Sequence, residues 1–156
     1  RYTALLAANR SNAVQLVLGR PAPALSAART PTGQAFDLSQ LRGKYVLLDF
    51  WASWCGPCRA ENPDMLARYE RLRGKGLEIV GVSLDENKEK WLRAVEADKL
   101  PWLQSSDLKG WEGPVAQTYA VTAIPTSVLI DPQGNIVALG LRGKALDKKL
   151  AEVLPK

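Results

Sequence analysis

The only two thiols in this 156-residue chain, Cys55 and Cys58, lie three residues apart in the run Trp54-Cys55-Gly56-Pro57-Cys58. Two thiols at that spacing can close and open a disulfide while a partner's disulfide is exchanged in the opposite sense. The exchange needs one of them as a thiolate near neutral pH. Cys55 follows an apolar run and stands at or just before a helix start, with Pro57 suited to the first helical turn because its missing N–H costs nothing there. Free backbone N–H groups and the helix dipole favour an anion at that end. Moving a thiol pKa from about 8.5 to about 7 favours the thiolate by about 2 kcal/mol. Cys55 is therefore the expected nucleophile. Cys58, one turn deeper on the same helix face, is expected to attack the mixed disulfide and release the partner. A static disulfide is the plainer alternative, but so short a loop constrains the unfolded chain little. Half of a metal site is another, and it lacks two further ligands.

Asp49 lies inside Val46-Leu47-Leu48-Asp49-Phe50-Trp51. A carboxylate within a buried strand is costly unless paired or protonated, so its pKa is expected to be raised, as suits a group that takes the proton of Cys58 during resolution. A partly exposed Asp at the strand end is the alternative. Glu61 follows Cys58 by three residues and shares its helix face. Spacing alone leaves open whether it holds a second proton there or is an ordinary first-turn carboxylate helped by the dipole. Pro63 falls mid-helix, where it removes a hydrogen bond and bends the axis. Ile124-Pro125 precedes a strand, and sequence alone gives a cis bond there only its general frequency of about 5%. Trp54, Trp51 and the Ile124-Pro125 edge are expected to form a flat apolar contact area, with Trp91, Trp102 and Trp111 in the core.

Elements must hold these residues. Tyr45 to Phe50, apolar except for Asp49, fits a strand buried on both faces. Pro57 to Arg73 reads as a helix ending at Gly74 and Gly76. Leu77 to Leu84 reads as a second buried strand, and Asn87 to Ala97 and Trp111 to Tyr119 as helices. Thr126 to Ile130 and Ile136 to Leu139 form a predicted hairpin about Asp131-Pro132-Gln133-Gly134, and Lys144 to Leu154 a closing helix. Upstream, Ala24 to Ala28 and Gln34 to Asp37 read as two short strands around Thr30-Pro31-Thr32-Gly33. Tyr2 to Leu18 reads as a helix broken by Arg20-Pro21-Ala22-Pro23. Helical crossovers make the first strands parallel and the hairpin makes the last pair antiparallel, which predicts an α/β domain around a mixed sheet. The expected division is a helical leader, or the tail of an upstream domain, over residues 1–20, and the α/β domain over residues 21–156.

A hydrophobic fraction of 46% and a charged fraction of 24% suit a globular protein. The net charge of +5 comes from scattered Lys and Arg, which reads as solvated helix faces rather than a nucleic-acid or membrane surface. No apolar run is long enough to span a membrane. The absence of histidine excludes a Ser-His-Asp triad and a Cys-His protease, and leaves a zinc site with two thiols alone. The first residue is Arg, so a processed chain or a piece of a longer one is expected, and a removed signal peptide is compatible with it.

Residues 46–58, VLLDFWASWCGPC, resemble the active-site segment of the thioredoxin family almost residue for residue. The resemblance implies that fold, with Cys55 as nucleophile, Cys58 as resolving thiol and Asp49 as the buried acid beneath them. It implies a helix-kinking role for Pro63 and a cis-proline at Pro125 facing the disulfide, with the Ile124 backbone pairing to an extended partner strand. Client contact then falls on Trp54, Gly56, Pro57, Ile124 and Pro125. Arg59-Ala60-Glu61-Asn62-Pro63 is similar to the Cys-x-x-Glu-x-Pro pattern of the TlpA/ResA/CcmG branch, which supports a functional Glu61. The N-terminal β-hairpin, the run Phe36 to Lys44, and an insertion between the second buried strand and the Pro125 segment fit that branch, so the likeness covers about Gly19 to Leu154. One departure is that minimal thioredoxins carry a Lys near Asp49 in the neighbouring strand. Ile79 to Ser83 offers none, so Asp49 is expected to lack that partner and Glu61 to take over part of its role.

The implied activity is reduction of client-protein disulfides through a Cys55–Cys58 dithiol/disulfide cycle, without cofactor or metal. Gly56-Pro57 is the dipeptide of the reducing thioredoxins, although potentials across the wider fold run from about −270 to about −120 mV. The implied setting is the bacterial periplasm or another extracytoplasmic space, with tethering through a part outside this chain. A membrane thiol donor would supply electrons to a monomer that binds no nucleic acid. One rival is a peroxiredoxin-like thiol peroxidase, whose reactive cysteine has a Thr three residues before it where this chain has Ala52. The other is a non-catalytic binding module of the same fold, against which the intact Cys-x-x-Cys argues.

Overall fold

Strand β1 (Tyr45–Trp51) runs through the middle of the molecule, and its apolar residues explain why. Val46, Leu47, Leu48 and Phe50 are all fully buried, as a strand covered on both faces requires. The computed structural model describes residues 16–156. In it β1 is followed by α1 (Gly56–Leu72), β2 (Leu77–Ser83), α2 (Lys88–Ala97), β3 (Leu103–Ser106), α3 (Pro114–Thr118), β4 (Thr126–Ile130), β5 (Ile136–Leu139) and α4 (Gly143–Val153). The sheet order is β3-β2-β1-β4-β5. β1 pairs parallel with β2, and β2 with β3, across helical crossovers. β4 is antiparallel to both β1 and β5. This is the mixed sheet expected from the order of elements.

Alternation along β1 assigns its side chains to two layers. Phe50 faces the layer of α3, where its ring centroid lies 5.5 Å from that of Tyr119. Val46, on the same face, shares a cavity wall with Leu25 and Phe36 of the N-terminal segment. Asp49 and Trp51 face the layer of α1, α2 and α4. Asp49 borders a narrow cleft with Met65 of α1 and Leu146 of α4. Trp51 Nε1 and Trp91 Nε1 of α2 both donate to Gln104 Oε1, at 3.3 and 3.4 Å.

Four differences from the sequence reading have physical causes. β3 was not expected, because Gln104, Ser105 and Ser106 are polar, yet all three are buried. Gly81 makes room for this strand: a Cβ there would lie 2.5 Å from the Gln104 side-chain oxygen. The helix expected over Trp111 to Tyr119 is split into a 3-10 turn, Gly110–Glu112, and α3. Pro114 takes the first helical position and Gly113 before it is extended, as the residue preceding a proline tends to be. The turn at Thr30 to Gly33 closes with Thr30 N–H donating to Gln34 O at 2.8 Å, but its flanks join only through the bridge Arg29↔Ala35, and Arg29 also bridges to Ser106. The two short strands expected there are otherwise irregular backbone. The helix expected from Tyr2 lies outside the described residues except at 16–18, which are not helical. Gly19 and Arg20 instead pair with Ile136 at the start of β5.

Candidate active site

The β1-to-α1 junction places both sulfurs. Cys55 is the N-cap of α1, with extended backbone, and Pro57 sits in the first turn. Cys55 Sγ accepts a hydrogen bond from the Cys58 N–H at 3.2 Å, the bond an N-cap side chain makes to the free donors of a helix start. Cys55 and Cys58 form a disulfide with Cα atoms 5.2 Å apart. Both are buried, at 6% and 3% exposure, while Gly56 and Pro57 between them are exposed. Opposite the disulfide, the Ile124–Pro125 bond is cis and the Ile124 carbonyl oxygen lies 4.0 Å from Cys55 Sγ.

The loop that delivers Cys55 is held by charged groups from other elements. Asp85, 1% exposed and just past β2, accepts from the Ser53 N–H at 3.1 Å, from the Ser53 hydroxyl, and from the Ser83 hydroxyl at 2.6 Å. A buried carboxylate is tolerable only with such donors. Arg59 of α1 donates through Nη1 to the Ser53 carbonyl at 2.9 Å, and through its other nitrogens to both Asp98 oxygens just beyond α2. Asn62 Nδ2 donates to Asp98 at 2.7 Å. These donors hold the Asp98 carboxyl below its ordinary pKa, Arg59's hydrogen bond foremost.

Asp49 opens onto a narrow cleft of about 10 Å³, room for about one water molecule, which it shares with Glu61, Arg68, Pro125 and Arg142 among others. Burial, then the negative charge of Glu61, raises its pKa from the ordinary 3.8 to about 7, against the opposing pull of Arg142 and Arg68. Glu61 of α1 is ion-paired with Arg142, the N-cap of α4. Arg68, 7% exposed, pairs with Asp147 of α4 through Nε at 2.6 Å. Asp49 therefore has cationic neighbours after all. They come from α1 and the start of α4, not from β2, where Gly81 stands opposite it.

A chain with a helix-start Cys-x-x-Cys facing a cis-proline on this sheet invites comparison with known proteins. The profile of the AhpC/TSA family matches residues 18–139. The thiol-disulfide oxidoreductase ResA of Bacillus thuringiensis subsp. konkukian is 35% identical over 124 residues, 80% of this chain and 69% of that protein. The thioredoxin domain of a thiol-disulfide oxidoreductase from Bacteroides vulgatus superposes with a TM-score of 0.81 at 37% identity, covering 90% of this chain and 99% of that one. A thiol-disulfide oxidoreductase from Bacteroides fragilis gives 0.80 at 35% identity, covering 86% and 100%. The chain belongs to the AhpC/TSA family, among its ResA-like thiol-disulfide oxidoreductases.

Within this family member, the fold gathers the expected residues into two neighbouring places. Cys55, Gly56, Pro57, Cys58, Ile124 and Pro125 surround the disulfide. Asp49 and Glu61 line the cleft, which Pro125 also borders. Trp54, 55% exposed, stands at the surface beside Cys55. Two expectations for aromatic residues fail. Trp51 is 1% exposed and belongs to the core, because strand alternation turns it toward Gln104. Trp111 is 39% exposed instead of core, with its ring centroid 6.1 Å from that of Trp54. Sequence reading also missed Ser53, Asp85, Asp98 and Arg142. Asp85 carried a weak signal, an acidic residue directly after an apolar strand, but only the fold shows what it holds.

Proposed function

We propose that this oxidoreductase works as a reductant of client-protein disulfides. The Cys55 thiolate attacks a client disulfide, a mixed disulfide forms and one client sulfur leaves as a thiolate. Cys58 then loses its proton toward Asp49 and attacks Cys55 Sγ. The second client sulfur departs, and the pair ends as the Cys55–Cys58 disulfide, two electrons poorer. Glu61, at the mouth of the cleft, passes the Asp49 proton on to solvent. The observation that carries this reading is the position of Cys55 Sγ, which accepts the Cys58 N–H at the start of α1, where a thiolate is favoured. Trp54, Gly56, Pro57 and the Ile124–Pro125 edge are the proposed client contacts, the half-buried Ile124 just ahead of β4 offering its backbone to an extended client segment.

The ResA likeness supports an extracytoplasmic site of action and an electron donor at the membrane. No helix among the described residues is long and apolar enough to cross a membrane. We take residues 21–156 as the working domain and residues 1–20 as a leader or the end of an upstream unit, although the pairing of Gly19 and Arg20 with Ile136 argues for a junction just before Gly19.

The test is trapping. Cys58→Ser should hold clients as mixed disulfides on Cys55, and Cys55→Ser should hold none and lose insulin reduction. A redox titration should give a potential nearer about −270 mV than about −120 mV, and a value at the upper end would reverse the proposed direction. Turnover of hydrogen peroxide faster than of insulin would favour the peroxidase instead.

A further inference from the structure

The mechanism leaves one exposed aromatic without a task, Trp111, whose ring stands against the client contact Trp54. Large aromatics are seldom left open to solvent, and two in contact beside a reactive centre mark an interaction site. Their placement is built. Trp54 is fixed between Ser53, held by Asp85 and Arg59, and Cys55, whose N–H donates to Ala52 O at 3.1 Å. Trp111 sits in the 3-10 turn Gly110–Glu112, and its carbonyl accepts from Gln117 Nε2 at 3.0 Å. Gly110 has φ +64°, and a Cβ there would lie 3.1 Å from the Glu86 side chain, so the turn is pressed against the segment that follows β2. Asp107 ties the same loop by accepting from the Lys109 N–H at 2.9 Å and the Val115 N–H at 3.0 Å. The core does not require Trp111, since α3 already packs through Val115 and Ala116, both buried.

We propose that Trp111, with Trp54, is a docking platform for the client: the pair receives a large apolar side chain beside the disulfide cysteine of an extended client segment. The occupant follows from the chemistry. A client sulfur must reach bonding distance of Cys55 Sγ, and successive Cα atoms are about 3.8 Å apart, so the residues next to the client cysteine lie over Trp54 and the ring in contact with it. Two tilted indoles offer a wide, rigid apolar face at little entropic cost. The long stretch between β2 and Pro125 thus gains a task, to bring a second tryptophan to the nucleophile. This inference rests on the reading of Cys55 as the nucleophile toward protein disulfides.

The test uses the pre-reduced chain in single turnover against three oxidants: hydroxyethyl disulfide, and two short peptide disulfides that differ by Phe or Ser beside the cysteine. Trp111→Ala should raise the half-saturation concentration for the Phe peptide about ten-fold, with the limiting rate kept. Trp111→Phe should restore most of the loss. The Ser peptide should bind wild type as weakly as the Phe peptide binds Trp111→Ala, and hydroxyethyl disulfide should not distinguish the variants. Leu103→Ala, which removes an exposed apolar residue at the far end of β3, is the control and should behave as wild type. Equal saturation of wild type by the Phe and Ser peptides would overturn the proposal even if Trp111→Ala failed to fold, because that comparison needs no variant. If wild-type protein reduced none of the three, the reading of Cys55 would fall, and this inference with it.

Discussion

Asp49 shows how surroundings change the chemistry of one residue. Its type is ordinary, and its environment is not: a central strand, a cleft about one water wide, a carboxylate neighbour in Glu61, and two arginines that only partly compensate. The consequence for stability has a definite sign. The folded-state pKa of about 7 lies above the ordinary 3.8, so between those values the folded chain holds a proton that the unfolded chain has released. Stability contributed by the protonated form is complete below about pH 4 and is lost as pH rises through about 7. A shift of that size corresponds to about 4 kcal/mol, and access through the cleft reduces it to about 2–4 kcal/mol. Asp49→Asn should therefore unfold at higher urea than wild type at pH 8, by less at pH 5, and at nearly the same urea at about pH 4. Parallel pH profiles for the two proteins would show that Asp49 titrates normally. The same variant should slow resolution of the mixed disulfide, measured by rapid acid quench, while leaving Cys55 alkylation nearly unchanged.

At the scale of elements, the β1-to-α1 junction depends on a carboxylate from beyond β2. Asp85, itself buried, gathers the half-buried Ser53 N–H and hydroxyl and the buried Ser83 hydroxyl. Asp85→Ala strands these donors, each costing about 1–3 kcal/mol when buried without a partner, so a loss of about 3 kcal/mol is expected. The loop ahead of Cys55 should loosen with it. Hydrogen exchange at Ser53 to Cys55 should quicken more than at β4, and an equal increase everywhere would mean that the effect is global and the junction is not its focus. This junction also marks where sequence reading stops. Continuous apolar runs showed β1 and β2, and turn residues showed the β4–β5 hairpin, because those signals are local. β3 was hidden because its buried residues are polar, and the partners that two of them find lie more than ten residues away, Trp51 and Trp91 on Gln104 Oε1 and the Ser83 carbonyl on the Ser106 hydroxyl. Cys55, Cys58 and Asp49 were legible as candidates by type and position, and Glu61 only through the resemblance. Asp85 and Arg142 were not, since their roles arise from pairings of Asp85 with Ser53 and of Arg142 with Glu61 across the fold. Trp111 was misplaced because an aromatic in an amphipathic stretch is ordinarily core, and the break at Gly113-Pro114 turns it outward.

For the whole molecule, the direction of electron flow is a statement about which redox form folds more tightly. The folded oxidised and reduced forms are linked to their unfolded counterparts, so any stability difference appears as a shift in potential, about 30 mV for each 1.4 kcal/mol. A strong oxidant of this type is one whose reduced form the fold stabilises. Such stabilisation requires strong support for the Cys55 thiolate. Here the chain contains no histidine, Gly56 and Pro57 bring no polar side chain between the sulfurs, and the groups shown to face Cys55 Sγ are the donating Cys58 N–H and the Ile124 carbonyl, which an anion would not favour. Cys58 is 3% exposed and lies in the apolar core cluster, where a second charge would find no solvent. The fold thus offers the dithiol modest help, and the disulfide form should be the more stable by about 1–3 kcal/mol, within the range of a native disulfide. Urea unfolding monitored by far-UV circular dichroism, with and without dithiothreitol, measures the difference directly. A higher midpoint for the oxidised chain agrees with a reductant. A higher midpoint for the reduced chain would assign the protein to disulfide formation, with the same two sulfurs and the opposite direction of transfer.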